Sequence, residues 1–206
     1  MPVIRPSPLA LAMLATLTET PMHPYGMLQQ LKARGYDEVV NVRQRTSLYQ
    51  MIDRLLRDGL IAVHDTERDG AFPERTLYKL TEAGHKAGQA WLHALLAEPA
   101  REFTAFGAGL AFLPLLDADD ARRQLERRID ALEAERERLD ALRNAAQGDQ
   151  VPRLFLLQNE HALVMLNAEL DWTRSVVEHL KIGALRWVDA WRAPAPPAPV
   201  KAPCRD

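Results

Sequence analysis

The chain has 206 residues, 47% of them apolar and 26% charged, which is the composition of an ordinary globular protein with one large domain or two small ones. Its single cysteine, Cys204, excludes an internal disulfide framework and a metal site made of several thiolates. The net charge of −2 does not indicate a nucleic-acid binder, so such a function would need a local basic surface. No signal-peptide pattern and no run of about 18 apolar residues occurs, so we expect a cytoplasmic protein with no membrane partner.

Two short helices are predicted near the N-terminus. Ser7 followed by Pro8 is a typical helix start, and the almost wholly apolar stretch 9–17 predicts a buried helix. After a short break, Pro24 opens a second helix that we expect to cover residues 25–34. Gly35 is the residue at which this second helix should end.

The third predicted helix, residues 45–58, is amphipathic. When successive residues are rotated by about 100°, all its large apolar side chains except Tyr49 fall within one arc and its polar side chains within another. Ser47 and Gln50 have the spacing of a capping box at the start of the helix, and Gly59 predicts its end. The apolar arc consists of Leu48, Met51, Ile52, Leu55 and Leu56.

The polar side of this helix and the residues before it suggest contact with nucleic acid. The stretch 39–51 contains two arginines, Arg43 and Arg45, and no acid. Arginine, glutamine and hydroxyl side chains near the start of a helix can read base edges or bind phosphates in a major groove. The alternative is an ordinary solvated helix face.

A β-hairpin and a fourth helix are predicted next. Residues 60–64 and 75–80 have the β-branched and aromatic character of strands, with turn-forming residues between them. Arg68 and Arg75 are expected either to contact DNA or to form ion pairs with the acids at the same hairpin tip. Thr81 should cap a helix that runs to about residue 97.

The order helix, helix, amphipathic helix, hairpin is that of a winged helix-turn-helix. In this fold one helix enters the major groove, and the hairpin, called the wing, touches the flanking backbone or the minor groove. Between residues 8 and about 90 the chain also resembles the PadR family of transcriptional regulators. The family's Gly-Tyr pair appears here as Pro24-Tyr25-Gly26, a small departure that keeps the tyrosine. The segments that carry the resemblance, in order and spacing, are 9–14, 22–27, 47–49, 55–61 and 75–84.

The resemblance implies a sequence-specific DNA-binding regulator, with a repressor that binds a near-palindromic operator as a homodimer as the leading expectation. The alternative is a winged-helix module that contacts only proteins and does not bind duplex DNA. Residue types and resemblance together predict a DNA-facing set made of Tyr25, Arg43, Gln44, Arg45, Thr46, Ser47, Tyr49, Gln50, Arg54, Arg68, Arg75 and Lys79.

Two long helices are predicted after a connector at 101–116. The first is capped by Asp117 and has a heptad pattern that predicts a coiled-coil seam. The second, residues 154–182, has more than one apolar face, which implies a partner chain. His161, on its main apolar stripe, is predicted to be a hydrogen-bonded core histidine. The residues predicted for dimerisation are Leu125, Ile129, Leu132, Leu139, Leu157 and Met165.

The expected fold is therefore mainly α with a small β-hairpin. Residues 1–98 should form the winged helix-turn-helix domain, and residues 99–192 a helical, coiled-coil-like dimerisation domain. The longer PadR-like proteins have a helical C-terminal region for dimerisation, which agrees with the predicted C-terminal domain. Residues 193–206, rich in proline and alanine, are expected to be a disordered tail.

The aromatic residues of the second half suggest a ligand pocket. Phe106, Phe155 and Trp172 could line a site for a small aromatic effector, although aromatics at helical spacing more often pack a core or an interface. Some PadR-like regulators respond to phenolic or drug-like compounds, so the resemblance agrees with an effector. The sequence has no glycine-rich phosphate loop, nucleophile elbow or cluster at metal-ligand spacing, so we expect no enzyme activity, cofactor or metal.

Overall fold

Seven α-helices and one β-hairpin make up the part of the chain that the structure describes. The structure is a computed structural model that describes residues 7–41, 45–67 and 75–185, with residues 45, 46, 67 and 75 described by their backbone alone. Its internal contacts divide the chain into two compact units, Met1–Glu102 and Phe103–Asp206. Within the described ranges, no helix is long and apolar enough to cross a membrane.

The first two helices are α1 (Pro8–Thr16) and α2 (Pro24–Ala33), and both start at a proline as predicted. The Ser7 hydroxyl accepts a hydrogen bond from the Ala10 N–H at 3.1 Å, which confirms the predicted cap of α1. The cap of α2 is His23, whose Nδ1 accepts the Gly26 N–H at 2.8 Å. The residue pattern had not identified this cap.

The amphipathic helix α3 (Arg45–Arg57) agrees with the predicted helix to within one residue. Ser47 is therefore the third residue of the helix and not its cap, so the predicted capping box is wrong. Gly59 has φ +68°, the left-handed conformation that ends a helix, as predicted. Leu48, Ile52 and Leu55 from the apolar arc are buried.

The hairpin consists of β1 (Ile61–Glu67) and β2 (Arg75–Leu80), paired antiparallel. β1 extends three residues beyond its predicted end, and a β-bulge at His64 interrupts its pairing with β2. On the far edge of β2, Met22 and Tyr78 form an isolated antiparallel bridge with two hydrogen bonds of 3.0 Å. Met22, just before α2, thus pairs with β2 like a third strand that is one residue long.

The last helix of the N-terminal unit is α4 (Glu82–Ala97), capped by Thr81 as predicted. The Thr81 hydroxyl donates toward the Gly59 and Leu60 carbonyl oxygens at 2.7 and 2.9 Å, and it accepts the Gly84 N–H at 3.0 Å. One threonine therefore joins the end of α3 to the start of α4. The buried core of this unit comprises Ala10, Met13, Leu14, Leu17, Met27, Leu28, Leu31, Val40, Leu48, Ile52, Leu55, Ile61 and Trp91.

The C-terminal unit contains a short helix, α5 (Ala105–Ala111), and two long helices, α6 (Ala118–Gly148) and α7 (Leu157–Lys181). The two long helices pack against each other along their length. Ion pairs tie them together, joining Arg128 to Glu169, Arg174 to Glu133 and Lys181 to Glu126.

The predicted coiled-coil seam serves contacts inside the protomer. Leu125 and Leu139 are buried in the single chain, where α6 packs on α7, and Ile129 and Leu132 are half-buried. Their assignment to an interface between two chains is therefore wrong for Leu125 and Leu139. A heptad pattern is satisfied equally by an intramolecular helical hairpin.

The side of α7 that faces inward also differs from the prediction. The buried residues are Leu163, Leu170, Thr173 and Val177. The predicted stripe lies on the outside of the protomer, and His161 is exposed, which contradicts its assignment as a core histidine. Met165 and Trp172 are 57% and 45% exposed. Both faces of α7 are apolar, so helical periodicity alone could not decide which one packs on α6.

Candidate nucleic-acid interface

The outward face of α3 carries polar and basic side chains. Tyr49 is 54% exposed, and Gln50, Arg54 and Arg57 are also exposed, whereas Ser47 is half-buried. Because the opposite face of α3 is buried in the core, these side chains are held on one rigid helix that projects them away from the domain. This is the geometry that base reading in a major groove requires.

Several predicted residues at the start of this helix lie at or beyond the limit of the described structure. Arg45 and Thr46 form the first turn of α3, where their side chains are not described, and Arg43 and Gln44 lie outside the described residues. Their part in the surface remains a prediction based on sequence.

The wing contributes a further cation. Lys79 is exposed on β2. Arg75 begins the same strand, with its side chain not described, and Arg68 lies outside the described residues. The choice between DNA contact and ion pairing at the hairpin tip therefore stays open for both arginines.

Tyr25 lies in the first turn of α2 and is 52% exposed. Its ring stacks on His23 with 6.2 Å between ring centroids and an angle of 19° between ring planes. His23 is itself fixed by its cap hydrogen bond to the Gly26 N–H. The tyrosine thus stands at the N-terminal end of α2 with its ring held on one side, which suits a contact with a DNA phosphate.

The cations of α3 and the wing differ from several arginines of the C-terminal unit. In the C-terminal unit, arginines are held by carboxylates within hydrogen-bond distance, as in the pairs Arg122–Glu126 at 2.9 Å and Arg153–Glu160 at 3.0 Å. On α3 and the wing, no described residue forms an ion pair with Arg54, Arg57 or Lys79. Their charges remain available to an anionic partner, although Asp53, exposed on the same helix, reduces the local positive charge.

Two of the three predicted effector residues meet in the C-terminal unit. The rings of Phe106 and Trp172 touch edge to face, with centroids 6.1 Å apart. The Arg128 guanidinium lies 3.5 Å from the centroid of the Phe106 ring and also pairs with Glu169.

The third predicted effector residue does not join this cluster. Phe155, 65% exposed, lies in a short 3-10 helix, Arg153–Leu156, that precedes α7. Trp172 lies about 15 residues into α7, which corresponds to roughly 22 Å along a helix axis. Phe155 and Trp172 therefore do not line one pocket within a protomer, and a pocket between the helices of two protomers stays a prediction.

A cavity of about 150 Å³ lies in the N-terminal unit, between α1 and α4. Its walls are almost wholly apolar, and Gly88 leaves space on the α4 side. It contains none of the predicted effector residues. Its lining consists of Leu11, Leu14, Ala15, Thr18, Leu80, Gly84, His85, Gly88, Gln89 and Leu92.

Among the described residues, no group of three or more histidine, cysteine, aspartate or glutamate side chains is placed to hold a metal ion. Three helices, a two-stranded wing and an exposed face on the third helix define a winged helix-turn-helix protein.

Residues 13–90 match the sequence profile of the transcriptional regulator PadR-like family. Residues 13–90 therefore carry the PadR-like domain that their motifs had indicated. No curated protein sequence matches the chain.

Solved structures of PadR and of a virulence activator have the same fold over most of their length. Bacillus subtilis PadR in complex with operator DNA has a TM-score of 0.66 and 18% identity, covering 84% of this chain and 98% of that one. The same protein in complex with p-coumaric acid has a TM-score of 0.64 and 17% identity, covering 85% and 99%. The Vibrio cholerae virulence activator AphA has a TM-score of 0.61 and 19% identity, covering 85% and 99%. At these identities the likeness establishes the fold.

Proposed function

We propose that this protein is a transcriptional regulator that binds duplex DNA in a sequence-specific manner. The observation that carries the proposal is the outward face of α3, where Gln50, Arg54 and Arg57 are exposed and the two arginines have no carboxylate partner among the described residues. Glutamine and arginine are side chains that make bidentate hydrogen bonds with adenine and guanine in the major groove.

The wing and the start of α2 would complete the contact. Lys79, Arg75 and Arg68 would bind flanking phosphates, and Tyr25 would bind the backbone from the N-terminal end of α2. Arg43, Gln44, Arg45 and Thr46 would extend the reading surface beyond the start of α3. B. subtilis PadR, whose complex with operator DNA has the same fold, supports this arrangement.

The protein would act as a homodimer. Residues 1–98 would bind DNA, and residues 99–192 would dimerise through the outward face of α7, where Leu157, Met165 and Trp172 are exposed in the single chain. A two-fold dimer places α3 of each protomer, called the reading helix, on one half-site of a near-palindromic operator. The half-site centres would lie about 10 base pairs apart, or a multiple of that distance. Occupancy of such an operator would repress transcription.

A small aromatic acid would regulate the dimer. Phe106 and Trp172 offer ring faces and edges for stacking, and Arg128 offers a cation that now pairs with Glu169. B. subtilis PadR in complex with p-coumaric acid supports a ligand of this class. Titration with phenolic acids should quench the fluorescence of the wild-type protein more than that of Trp172→Phe, and should lower DNA affinity. Quenching without a change in DNA affinity would contradict the regulatory role.

Selection of bound sequences from a random duplex library tests the main proposal directly. We expect an enriched near-palindrome and a binding constant that falls with salt by a slope of about −0.9 per phosphate neutralised. Failure to enrich any sequence, together with no salt-dependent binding to duplex DNA, would favour the winged-helix protein-interaction module.

A further inference from the structure

Tyr78 lies where three elements of the N-terminal unit meet. Its backbone N–H donates to the Met22 carbonyl oxygen, and its own carbonyl oxygen accepts the Met22 N–H, each at 3.0 Å. Met22 directly precedes His23, which caps α2 and stacks on Tyr25. Strand β2 is therefore bonded to the segment that carries the exposed tyrosine of α2.

On its other side, Tyr78 pairs with Val63 of β1. Because both backbone groups of Tyr78 are bonded to Met22, this pair is of the non-hydrogen-bonded type, in which opposing side chains approach most closely. The bulge at His64 follows Val63 immediately. Bulges bend a strand and increase its twist, so Tyr78 stands opposite the point at which the wing changes direction.

The side chain of Tyr78 lies against a core to which α3 contributes Leu48, Ile52 and Leu55. It is half-buried and packs against the core of the N-terminal unit. Burial raises the pKa of its phenol, and the nearby charge of Asp53 raises that pKa further. Tyr49 is also close enough to affect the phenol, and Tyr49 and Asp53 are four residues apart on one side of α3. The ring thus packs on the core that the inner face of α3 helps to form.

We propose that Tyr78 is a positioning residue whose ring holds the wing against α3, so that the reading helix and the wing reach the same stretch of DNA. This inference rests on the DNA-binding function proposed above. A two-stranded hairpin has little stability of its own, so its direction depends on packing at its base. The Met22 bridge involves backbone atoms only, and it would persist when the ring is removed while the hairpin changes its angle.

The test uses the full-length protein and the duplex selected from the library. Tyr78→Leu removes the ring, Tyr78→Phe restores it without the hydroxyl, and Tyr36→Leu is the matched control, a tyrosine outside α3 and the wing. Hydroxyl-radical footprinting reports the flanking contacts of the wing, base-methylation protection reports the major-groove contacts of α3, and thermal unfolding reports stability.

For Tyr78→Leu we expect loss of flanking protection, retained major-groove protection, and about a tenfold weaker complex, equivalent to roughly 1.4 kcal/mol. Tyr78→Phe should restore the footprint and most of the affinity, and Tyr36→Leu should match the wild type. A wild-type footprint without flanking protection, or full flanking protection in Tyr78→Leu, would overturn the inference. Wild-type protein that selects no duplex would overturn the proposed function itself, and this inference with it.

Discussion

Gly84 in α4 lies so close to Leu60 that a Cβ on the glycine would stand 1.9 Å from the Leu60 carbonyl oxygen. The same carbonyl accepts the Thr81 N–H at 3.2 Å and the Thr81 hydroxyl at 2.9 Å. The start of α4 is thus held against the end of α3 by backbone contact that excludes any side chain. The orientation of α4 relative to the reading helix depends on this approach.

We predict that Gly84→Ala destabilises the N-terminal unit by at least about 1–3 kcal/mol, because a backbone atom cannot yield to the new methyl group. The measurement is chemical denaturation followed by circular dichroism. Gly88→Ala in the same helix is the control, since its Cβ would lie 3.7 Å from the nearest atom of Leu14, an ordinary contact. It should gain up to about 1 kcal/mol from helix propensity. Equal effects of both substitutions would contradict the prediction.

The second prediction separates base reading from phosphate binding on α3. Gln50→Ala should relax base preference at one position of each half-site and leave the salt slope unchanged, because glutamine neutralises no phosphate. Arg54→Ala should weaken binding to all duplexes and reduce the slope by about one if the arginine binds phosphate. Lys86→Ala is the control, an exposed cation on α4 paired with Glu82 at 3.2 Å. If both α3 variants bind a sequence array as the wild type does, the proposed DNA-binding surface is wrong.

The third prediction concerns the outward face of α7. Met165→Glu should leave the helical content unchanged, since the side chain is exposed in the protomer, yet it should yield monomers by placing a carboxylate in an apolar interface. Leu170→Glu places the charge between α6 and α7 and should lower stability before it changes assembly. Light scattering and circular dichroism distinguish these results. If Met165→Glu forms a dimer with wild-type affinity, the outward face of α7 is not the dimer interface.

The fourth prediction concerns acid. The hydrogen bond from Lys181, followed by that from Arg122, holds the pKa of Glu126 below its ordinary value of 4.5. A lowered pKa gives stability that is present above that ordinary value and is lost as the pH falls through the folded-state value. Thermal unfolding of Glu126→Gln should therefore depend less on pH than that of the wild type between about pH 5 and 3. Glu137→Gln, an exposed site on α6, should follow the wild type.

Local pattern was sufficient to predict much of the N-terminal unit. The apolar arc of α3 correctly assigned Leu48, Ile52 and Leu55 to the core, because a helix fixes which residues share a face. Gly59 was correctly assigned to the end of α3, since its left-handed conformation is costly for other residues. The spacing of these features also carried the resemblance to the PadR family.

The missed features depend on contacts between distant parts of the chain. The Met22–Tyr78 bridge joins two segments whose own sequences do not indicate pairing. Leu163 and Met165 lie on two apolar faces of one helix, and only the position of α6 decides which face is covered. His23 was missed because histidine is an uncommon cap, and only its ring orientation shows that it accepts the Gly26 N–H.

The bridge between Met22 and Tyr78 also bears on how the protein is made. During synthesis, the three helices that end at Arg57 leave the ribosome before the strand that holds Met22 and before Trp91, which belongs to the same buried core. The nascent helix-turn-helix therefore lacks part of its core until α4 has emerged, and domains fold as units during translation. A shortened gene product that stops after α3 should accordingly be degraded, and would not compete with the intact protein for its binding sites.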